Sequence, residues 1–386
     1  MPRFAPATAL AALLVAGASH AQEVDWSEPW VEPQDTAAAF ASPDEYAWRL
    51  FVALNWPADP DQRVADPERA LGDPGLVVWE TWKNAPDVFR SDGADPGPWL
   101  EGPVMIADRL QGADPVPLQQ IARAEAMGIE TAPMFDPEAA RNAANETRLN
   151  RETYEFVRER ELYHLGGQLA LIRSGVRTIS FPLAAKEIKA QWRPISEPEK
   201  PRYHWAEVTE ANGLTVIYGL TALHITTKDL PNWFWATFEH VDNPTRPGNE
   251  PWQLPSVDRF ACGTLPPNCN QAPAGIGLEA TKWQHYRLRG TQIDFTDSTG
   301  RPTLLANSQP EEGFQTTSSC ISCHARATIG EIRGMPQRLR FFDATGQGFI
   351  GPVDPDWFEA ETLRGRVPLF TQLDFVWSLF RARPQQ

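Results

Sequence analysis

Apolar residues recur at helical spacing in two stretches of the N-terminal half of the chain. The first begins at Ser42-Pro43-Asp44-Glu45, a capping-box pattern with proline at the first helical position, and ends at Trp56, before Pro57. The second begins after Asn150 and ends at Gly175. Its apolar stripe consists of Tyr154, Val157, Leu165, Leu169 and Ile172. One helix is therefore predicted in each stretch, and His164 on the second is interpreted as a packed histidine.

From Thr178 onward the apolar positions alternate with the period of a β-strand. The candidate strands are residues 179–181, 188–192, 203–209, 214–218, 220–226 and 233–241. Asn212-Gly213 is a strong hairpin signal, and a second hairpin is predicted from residues 292–296 and 303–306 around a turn at 297–300. No crossover helix fits between these strands, so an antiparallel sheet is expected.

The C-terminal pattern predicts a last helix. Thr371 and Asp374 have the spacing of a capping box, and the apolar face of the helix would contain Leu373, Val376, Trp377 and Phe380. The whole pattern predicts an α+β fold with a central antiparallel β-sheet or sandwich, peripheral helices and long loops. The 36 prolines, 26 glycines and 15 tryptophans fit ordered, aromatic-filled loops, because 42% of the residues are hydrophobic.

Residues 1–21 have the features of a cleaved signal peptide. A single charge at Arg3 is followed by an alanine- and leucine-rich run from Ala5 to Ala18, and Ser19-His20-Ala21 has the small residues of a cleavage site. The apolar run is too short to span a bilayer comfortably, so no stable membrane insertion is expected. Export from a Gram-negative cell would place the mature chain in the periplasm.

The charge of the mature chain is strongly negative. Of the 35 basic residues only Arg3 lies in the leader, so 34 remain against 50 acidic ones. Nucleic acid and anionic membranes are disfavoured as partners, whereas a basic redox protein would suit this field.

Residues 320–324, Cys-Ile-Ser-Cys-His, form the pattern C-x-x-C-H, which is typical of covalent haem attachment. Cys320 and Cys323 would form thioethers to the vinyl groups of haem c, and His324 would be the proximal ligand of its iron. A zinc site would need four ligands, and no second C-x-x-C or H-x-x-x-H pattern completes one. A thioredoxin-like dithiol is expected in a βαβ unit, whereas this motif follows the polar residues 315–319.

The two remaining cysteines, Cys262 and Cys269, are separated by six residues of loop-like sequence. Export into an oxidising compartment favours a structural disulfide between them. Closing so short a loop would stabilise the fold by roughly 2–3 kcal/mol in the chain-entropy model.

The motif resembles that of c-type cytochromes. Four segments together resemble a family of large single-haem exported proteobacterial proteins without a settled biochemical role: FVALNWP (51–57), IKAQW (188–192), WATFEH (235–240) and SSCISCH (318–324). The resemblance implies one covalent haem held by Cys320, Cys323 and His324. Small cytochromes place this motif near the start of a helical unit, whereas here only 62 residues follow His324, so the haem is expected to lie against the β-rich body.

The predicted organisation has three parts. A signal peptide covers residues 1–21, an α+β body covers 22–306 and is β-rich from about residue 178, and a haem-attachment segment with the C-terminal helix covers 307–386. The last two parts are expected to pack as one unit.

The second axial ligand decides what the iron can do. Met335 is the only methionine after the motif, and an extended chain of eleven residues reaches up to about 35–40 Å, enough to pass the ring edge. His240 and His285 are further candidates, and an open iron is also possible. Basic residues that would pair with haem propionates, or lie on a solvated face, are Lys282, Arg287, Arg289, Arg326 and Arg333. Aromatic residues that would stack on the porphyrin, or fill the core, are Trp283, Tyr286 and Phe314.

Three functions remain open from the sequence. An electron carrier with a periplasmic redox partner needs both axial positions filled, and Met335 on the iron would favour it. A peroxidase- or oxygenase-like enzyme needs an open site with an acid-base group, and Glu239-His240 near the haem would favour that. A sensor or assembly factor would use haem structurally. The electron carrier is the most economical of the three.

Overall fold

The fold is α+β, with an antiparallel seven-stranded sheet at the centre of the described chain. The computed structural model describes residues 25–102, 144–209, 213–243, 254–263, 268–311, 314–339, 348–363 and 365–386. The predicted signal peptide and Asn212 of the predicted hairpin lie outside the described residues.

Short helices alternate with strands along the chain. The α-helices are α1 (Thr36–Ala41), α2 (Pro43–Leu54), α3 (Ala85–Val88), α4 (Arg151–Glu159), α5 (Leu165–Arg173), α6 (Arg259–Cys262) and α7 (Cys320–His324). Helices of the 3-10 type cover Val78–Thr81, Glu197–Arg202, Lys282–His285, Gln315–Thr317, Pro355–Trp357 and Trp377–Arg381. Within the described ranges, no helix is long and apolar enough to cross a bilayer.

The strands form one large sheet and three small ones. They are β1 (Ala58–Asp59), β2 (Val64–Ala65), β3 (Lys83–Asn84), β4 (Ala144–Leu149), β5 (Lys186–Pro194), β6 (Trp205–Thr209), β7 (Thr215–Thr227), β8 (Phe234–His240), β9 (Tyr286–Gln292), β10 (Thr328–Ile332), β11 (Met335–Gln337), β12 (Glu359–Thr362), β13 (Gly365–Pro368) and β14 (Phe370–Gln372). The large sheet has the order β3-β4-β5-β7-β8-β9, with β6 paired to β7, and every neighbouring pair is antiparallel.

One face of the large sheet is apolar and is covered by α2. The rings of Trp48 and Phe51 on this helix lie 5.0 and 4.5 Å from the ring of Phe238 on β8, and Tyr46 lies 5.1 Å from Phe234. Each fully buried large apolar side chain stabilises the fold by about 1.5–3 kcal/mol relative to exposure. This apolar face therefore anchors α2 and forms the main core.

The opposite face, here called the polar face, consists of residues that point away from α2. Alternation along a strand sends neighbouring side chains to opposite faces, and antiparallel partners share a face. The register gives three rows across β5, β7, β8 and β9: Glu187–Thr226–Trp235–Gln292, Lys189–His224–Thr237–Gly290 and Gln191–Ala222–Glu239–Arg287.

Segments from the C-terminal part of the chain cover the polar face through hydrogen bonds. Asn307 donates to Thr237 Oγ1 at 2.9 Å, and Ser308 Oγ donates to Glu239 Oε2 at 2.6 Å. Ser378, in the last 3-10 helix, donates to Glu187. The sheet thus packs against hydrophobic side chains on one face and against hydrogen-bonding segments on the other.

Several elements differ from the sequence prediction. The stretch after Asn150 forms two helices, α4 and α5, because the chain turns at Glu161 with φ +55°. His164 caps α5 by accepting from Gly167 N at 3.1 Å. Residues 215–218 and 220–226 belong to the single strand β7, which begins one residue after Leu214, and residues 179–181 form no strand.

The prediction of a C-terminal α-helix was wrong. Thr371 lies in β14, and Asp374 and Phe375 have φ of +47° and +68°, which no α-helix accommodates. The carboxylate of Asp374 accepts instead from Phe181 N at 2.7 Å and from Lys228 Nζ at 2.6 Å. The only helical turn left among the predicted residues is the 3-10 segment Trp377–Arg381.

Candidate functional site

Helix α7 presents Cys320, Cys323 and His324 along one side. Positions i, i+3 and i+4 of a helix lie on one face, and all three residues are partly exposed, whereas Ile321 and Ser322 are buried. Both thiols are free. The five-residue helix therefore holds two thiols and one imidazole together at the border of the buried interior.

Hydrogen bonds from β9 and from the preceding loop fix the start of this helix. The amide of Gln292 accepts from Ile321 N at 3.0 Å through Oε1 and donates to Ser319 Oγ at 2.8 Å through Nε2. Ser322 Oγ donates to Gly351 O at 2.8 Å on the buried side. Because these bonds tie the helix to the sheet edge, the orientation of its cysteines is set by the fold.

The imidazole of His324 is held in one tautomer. Its Nδ1 lies 2.8 Å from Phe375 O, and a carbonyl oxygen only accepts, so Nδ1 carries the proton and Nε2 keeps its lone pair. The ring packs against Trp235 of the polar face, with the centroids 4.5 Å apart. Burial lowers the pKa of His324 to about 3, so the ring is neutral at pH 7.

The thiols are poor nucleophiles at neutral pH. Burial raises the pKa of Cys323 to about 12, and burial with the nearby Glu311 carboxyl raises the pKa of Cys320 well above its ordinary value. A disulfide-exchanging dithiol needs a thiolate at neutral pH. The surroundings of these cysteines therefore disfavour disulfide exchange at neutral pH.

Three ionisable side chains from the polar face and the adjoining loop lie beside the motif. Lys189 and His224 are directly paired across β5 and β7, and His224 Nε2 lies 3.8 Å from Glu311 Oε2. Burial is the main cause that lowers the pKa of His224 to about 3, and Lys189 and His324 lower it further. Burial also raises the pKa of Glu311 to about 7.

His224 has an unsatisfied ring nitrogen. Its Nε2 is buried and hydrogen-bonds to no described residue, because 3.8 Å to the Glu311 carboxylate is too long for a hydrogen bond. An unpartnered buried nitrogen of this kind costs about 1–3 kcal/mol. The polar face therefore contains a ring nitrogen that makes no hydrogen bond to the described residues.

The other candidates from the sequence lie in different surroundings. Met335 is the first residue of β11, is 58% exposed and pairs with Ile332 in a hairpin. His240 is buried, stacks on Tyr203 at 3.6 Å and uses both ring nitrogens, at Arg202 O and Asp242 N. His285 lies beside His240, with the ring centroids 6.1 Å apart.

The candidate propionate and stacking residues are mostly engaged elsewhere. Arg287 and Arg289 pair with the buried carboxylate of Glu239. The guanidinium of Arg326 lies 3.7 Å from the ring centre of Phe349 and 4.2 Å from that of Trp357. Lys282 lies over Trp283 and Arg333 occupies a turn, while Trp283 and Tyr286 pack against Phe51 in the core of the apolar face.

Sequence reasoning missed Lys189, His224, Trp235 and Glu311 as neighbours of the motif. The signal was present in the alternation of β7, where His224 falls between Leu223 and Ile225 and so faces away from the apolar core. Glu311 has no such signal, because it lies in a loop whose position depends on the tertiary fold.

Away from this site, Cys262 and Cys269 form the disulfide expected from the sequence, with an Sγ–Sγ distance of 2.03 Å. Within the described ranges, no three His, Cys, Asp or Glu side chains come together as a metal site of their own. In comparisons with family models, curated proteins and solved structures, the chain matches none of them.

Proposed function

We propose that this chain is a periplasmic c-type haem protein that carries one covalent haem c and transfers electrons. Cys320 and Cys323 would form the thioethers, and His324 would ligate the iron through Nε2. The observation that carries the proposal is the 2.8 Å bond from His324 Nδ1 to Phe375 O beside two free thiols, since it leaves Nε2 available for a metal.

The residues present fit such a group. A metal-ligating histidine normally donates its other ring N–H to a carbonyl or carboxylate, as His324 does to Phe375. Haem bound here would supply a one-electron redox couple. The chain would tune that couple through the packing of Trp235 and Trp377 around the His324 ring and through the Lys189 and Glu311 charges nearby. The acidic surface suits a basic redox partner.

A c-haem enzyme, peroxidase- or oxygenase-like and acting on a small organic substrate, is the second candidate. The observation that favours it is the group of Lys189, His224 and Glu311, because a carboxyl with pKa about 7 beside a neutral imidazole can donate or accept a proton near neutral pH. The two functions differ in whether the iron keeps an open coordination position.

The direct test is maturation of the full chain in a bacterium that attaches haem c, followed by denaturation and assay of the haem that stays bound. We expect one covalent haem per chain, and its loss in the double variant Cys320→Ala/Cys323→Ala. The matched control is Cys262→Ser/Cys269→Ser, which removes the other cysteine pair and should keep the haem. Wild-type protein without covalent haem, when a known cytochrome c matures in the same cells, would refute the proposal.

A further inference from the structure

A second imidazole, that of His224, lies near His324, and its Nε2 makes no hydrogen bond to a described residue. His224 lies in the second half of β7 in the row Lys189–His224–Thr237. The adjacent row contains Trp235, whose ring packs on His324. Trp235 and Thr237 lie two positions apart on β8 and face the same side, so the ring that packs on His324 lies one row away from His224. The fold therefore brings together two histidines that are 100 residues apart in sequence.

His224 differs from His240 and His164 in how its ring nitrogens are used. His240 has partners for both nitrogens, and His164 is occupied as a helix cap. His204 contacts Glu80 at 2.9 Å through Nε2. His224 Nε2 is buried, hydrogen-bonds to no described residue and faces the same side of the sheet as α7. A buried polar atom without a hydrogen-bond partner leaves room for a partner from outside the described residues, such as water or an ion.

We propose that His224 would ligate the haem iron through Nε2, in addition to His324. This inference rests on the proposed haem attachment at Cys320 and Cys323. A neutral imidazole is the form that ligates iron, and β7 is an inner strand of the sheet, so the ligand sits on a rigid element. Two histidine ligands would fill the iron and favour electron transfer over the enzyme function.

The same assignment explains the placement of Met335. The hairpin of β10 and β11 pairs Met335 with Ile332 and leaves it 58% exposed, so it contributes to the surface. Removing its thioether should therefore leave the iron ligands unchanged.

The test uses the purified full-length holoprotein, with one covalent haem first verified by the denaturation assay. Its optical and electron paramagnetic resonance spectra should be low-spin, and carbon monoxide should not change the reduced spectrum. His224→Ala should become high-spin and bind carbon monoxide, and added imidazole should restore the low-spin spectrum. His285→Ala and Met335→Ala are the matched controls, and both should keep the wild-type spectrum.

Three results would overturn the assignment while leaving haem attachment intact: high-spin wild-type protein, a low-spin His224→Ala variant, or loss of the low-spin spectrum in Met335→Ala. If His224→Ala fails to accumulate, His224→Met keeps a potential ligand of similar bulk. It should give the absorption band that marks methionine ligation, and an unchanged spectrum would again contradict the proposal. Absence of covalent haem in the wild type would instead refute the proposed function itself.

Discussion

The two faces of the central sheet are covered in opposite ways. Helix α2 covers the apolar face with Trp48 and Phe51, which are fully buried and pack ring against ring on Phe238. The polar face is covered by loop segments and by α7, and it contains buried charged groups such as Glu187 and Glu239. Excluding water from the apolar face stabilises the fold. Burying charged groups on the polar face costs desolvation free energy, which only hydrogen bonds and ion pairs offset.

This difference makes the polar face the better candidate for a functional site. Ionisable groups with strongly shifted pKa values cluster at functional sites more often than elsewhere. Glu311, His224 and His324 all lie on or against the polar face, and the pKa of each is shifted by burial. The contrast can be tested by changing one face at a time.

The largest effect is expected on the apolar face. Phe51→Ala removes a fully buried ring that packs on Trp48, Phe238 and Trp283, and it should lower the free energy of unfolding by about 3–5 kcal/mol. Urea denaturation measures this loss, and the spectrum of the folded holoprotein should stay unchanged.

The matched control for Phe51→Ala is Phe40→Ala, in α1, where the ring is 69% exposed and stability should change by less than about 0.5 kcal/mol. Equal losses in the two variants would contradict the assignment of the main core to the apolar face.

A smaller change in stability is expected for Glu187→Gln on the polar face, and above pH 7 this substitution should stabilise the fold. Burial raises the pKa of its carboxyl from 4.5 to about 7, so the folded state holds the proton more tightly than the unfolded state. Stability should therefore fall as pH rises from 4.5 through 7, by up to about 3 kcal/mol at 1.36 kcal/mol for each pH unit. Glu187→Gln cannot ionise, so it should be more stable than wild type above pH 7 and match it near pH 4.5.

Urea denaturation across that pH range checks the Glu187 prediction. Glu331→Gln is the control, because Arg173 lowers the pKa of that partly exposed carboxyl and its loss should bring no gain above neutral pH. Stability of Glu187→Gln below that of wild type throughout would show that the carboxylate is stabilising.

The smallest effect is expected where the loop meets the polar face. Thr237→Val keeps the shape of the side chain but removes the oxygen that accepts from Asn307 Nδ2 at 2.9 Å. Asn307 keeps its second acceptor, Phe238 O, so the loss should be about 1 kcal/mol. Amide hydrogen exchange at residues 305–308 should quicken.

Thr226→Val is the matched control for Thr237→Val, since it lies on the same face and no described residue hydrogen-bonds to its hydroxyl. Faster exchange in both variants would show that this one bond does not hold the loop.

The sequence predicted the parts of the fold that local patterns determine. The apolar periodicity and Pro43 at the first position predicted α2, although the side chain of Ser42 makes no cap hydrogen bond. The alternation predicted β5 and β8. These signals act within one element. The attachment motif also follows from spacing alone, and its covalent chemistry stays a prediction.

Tertiary contacts decided what local patterns missed. Gly219 suggests a break in the sequence, but it lies inside β7, where a Cβ would meet Ile195 and Tyr203 atoms at 2.9 Å. Gly219 lets the side chains of Ile195 and Tyr203 approach the backbone closely, and it does not end the strand. Likewise Asp374 has the spacing of a helix cap, yet its carboxylate pairs with Lys228, 146 residues away in sequence. Neither contact has a local signature.

The sheet strands end at Gln292 in the chain, and α7 begins 28 residues later. The whole sheet and the helix that fills its apolar face are therefore encoded ahead of the two thiols. An intermediate with the sheet formed and the later segments still unfolded would expose the polar face, whose side chains water can solvate. The hydrophilic character of that face would thus keep such an intermediate free of a large apolar surface while the motif stays accessible, as the proposed attachment of haem would require.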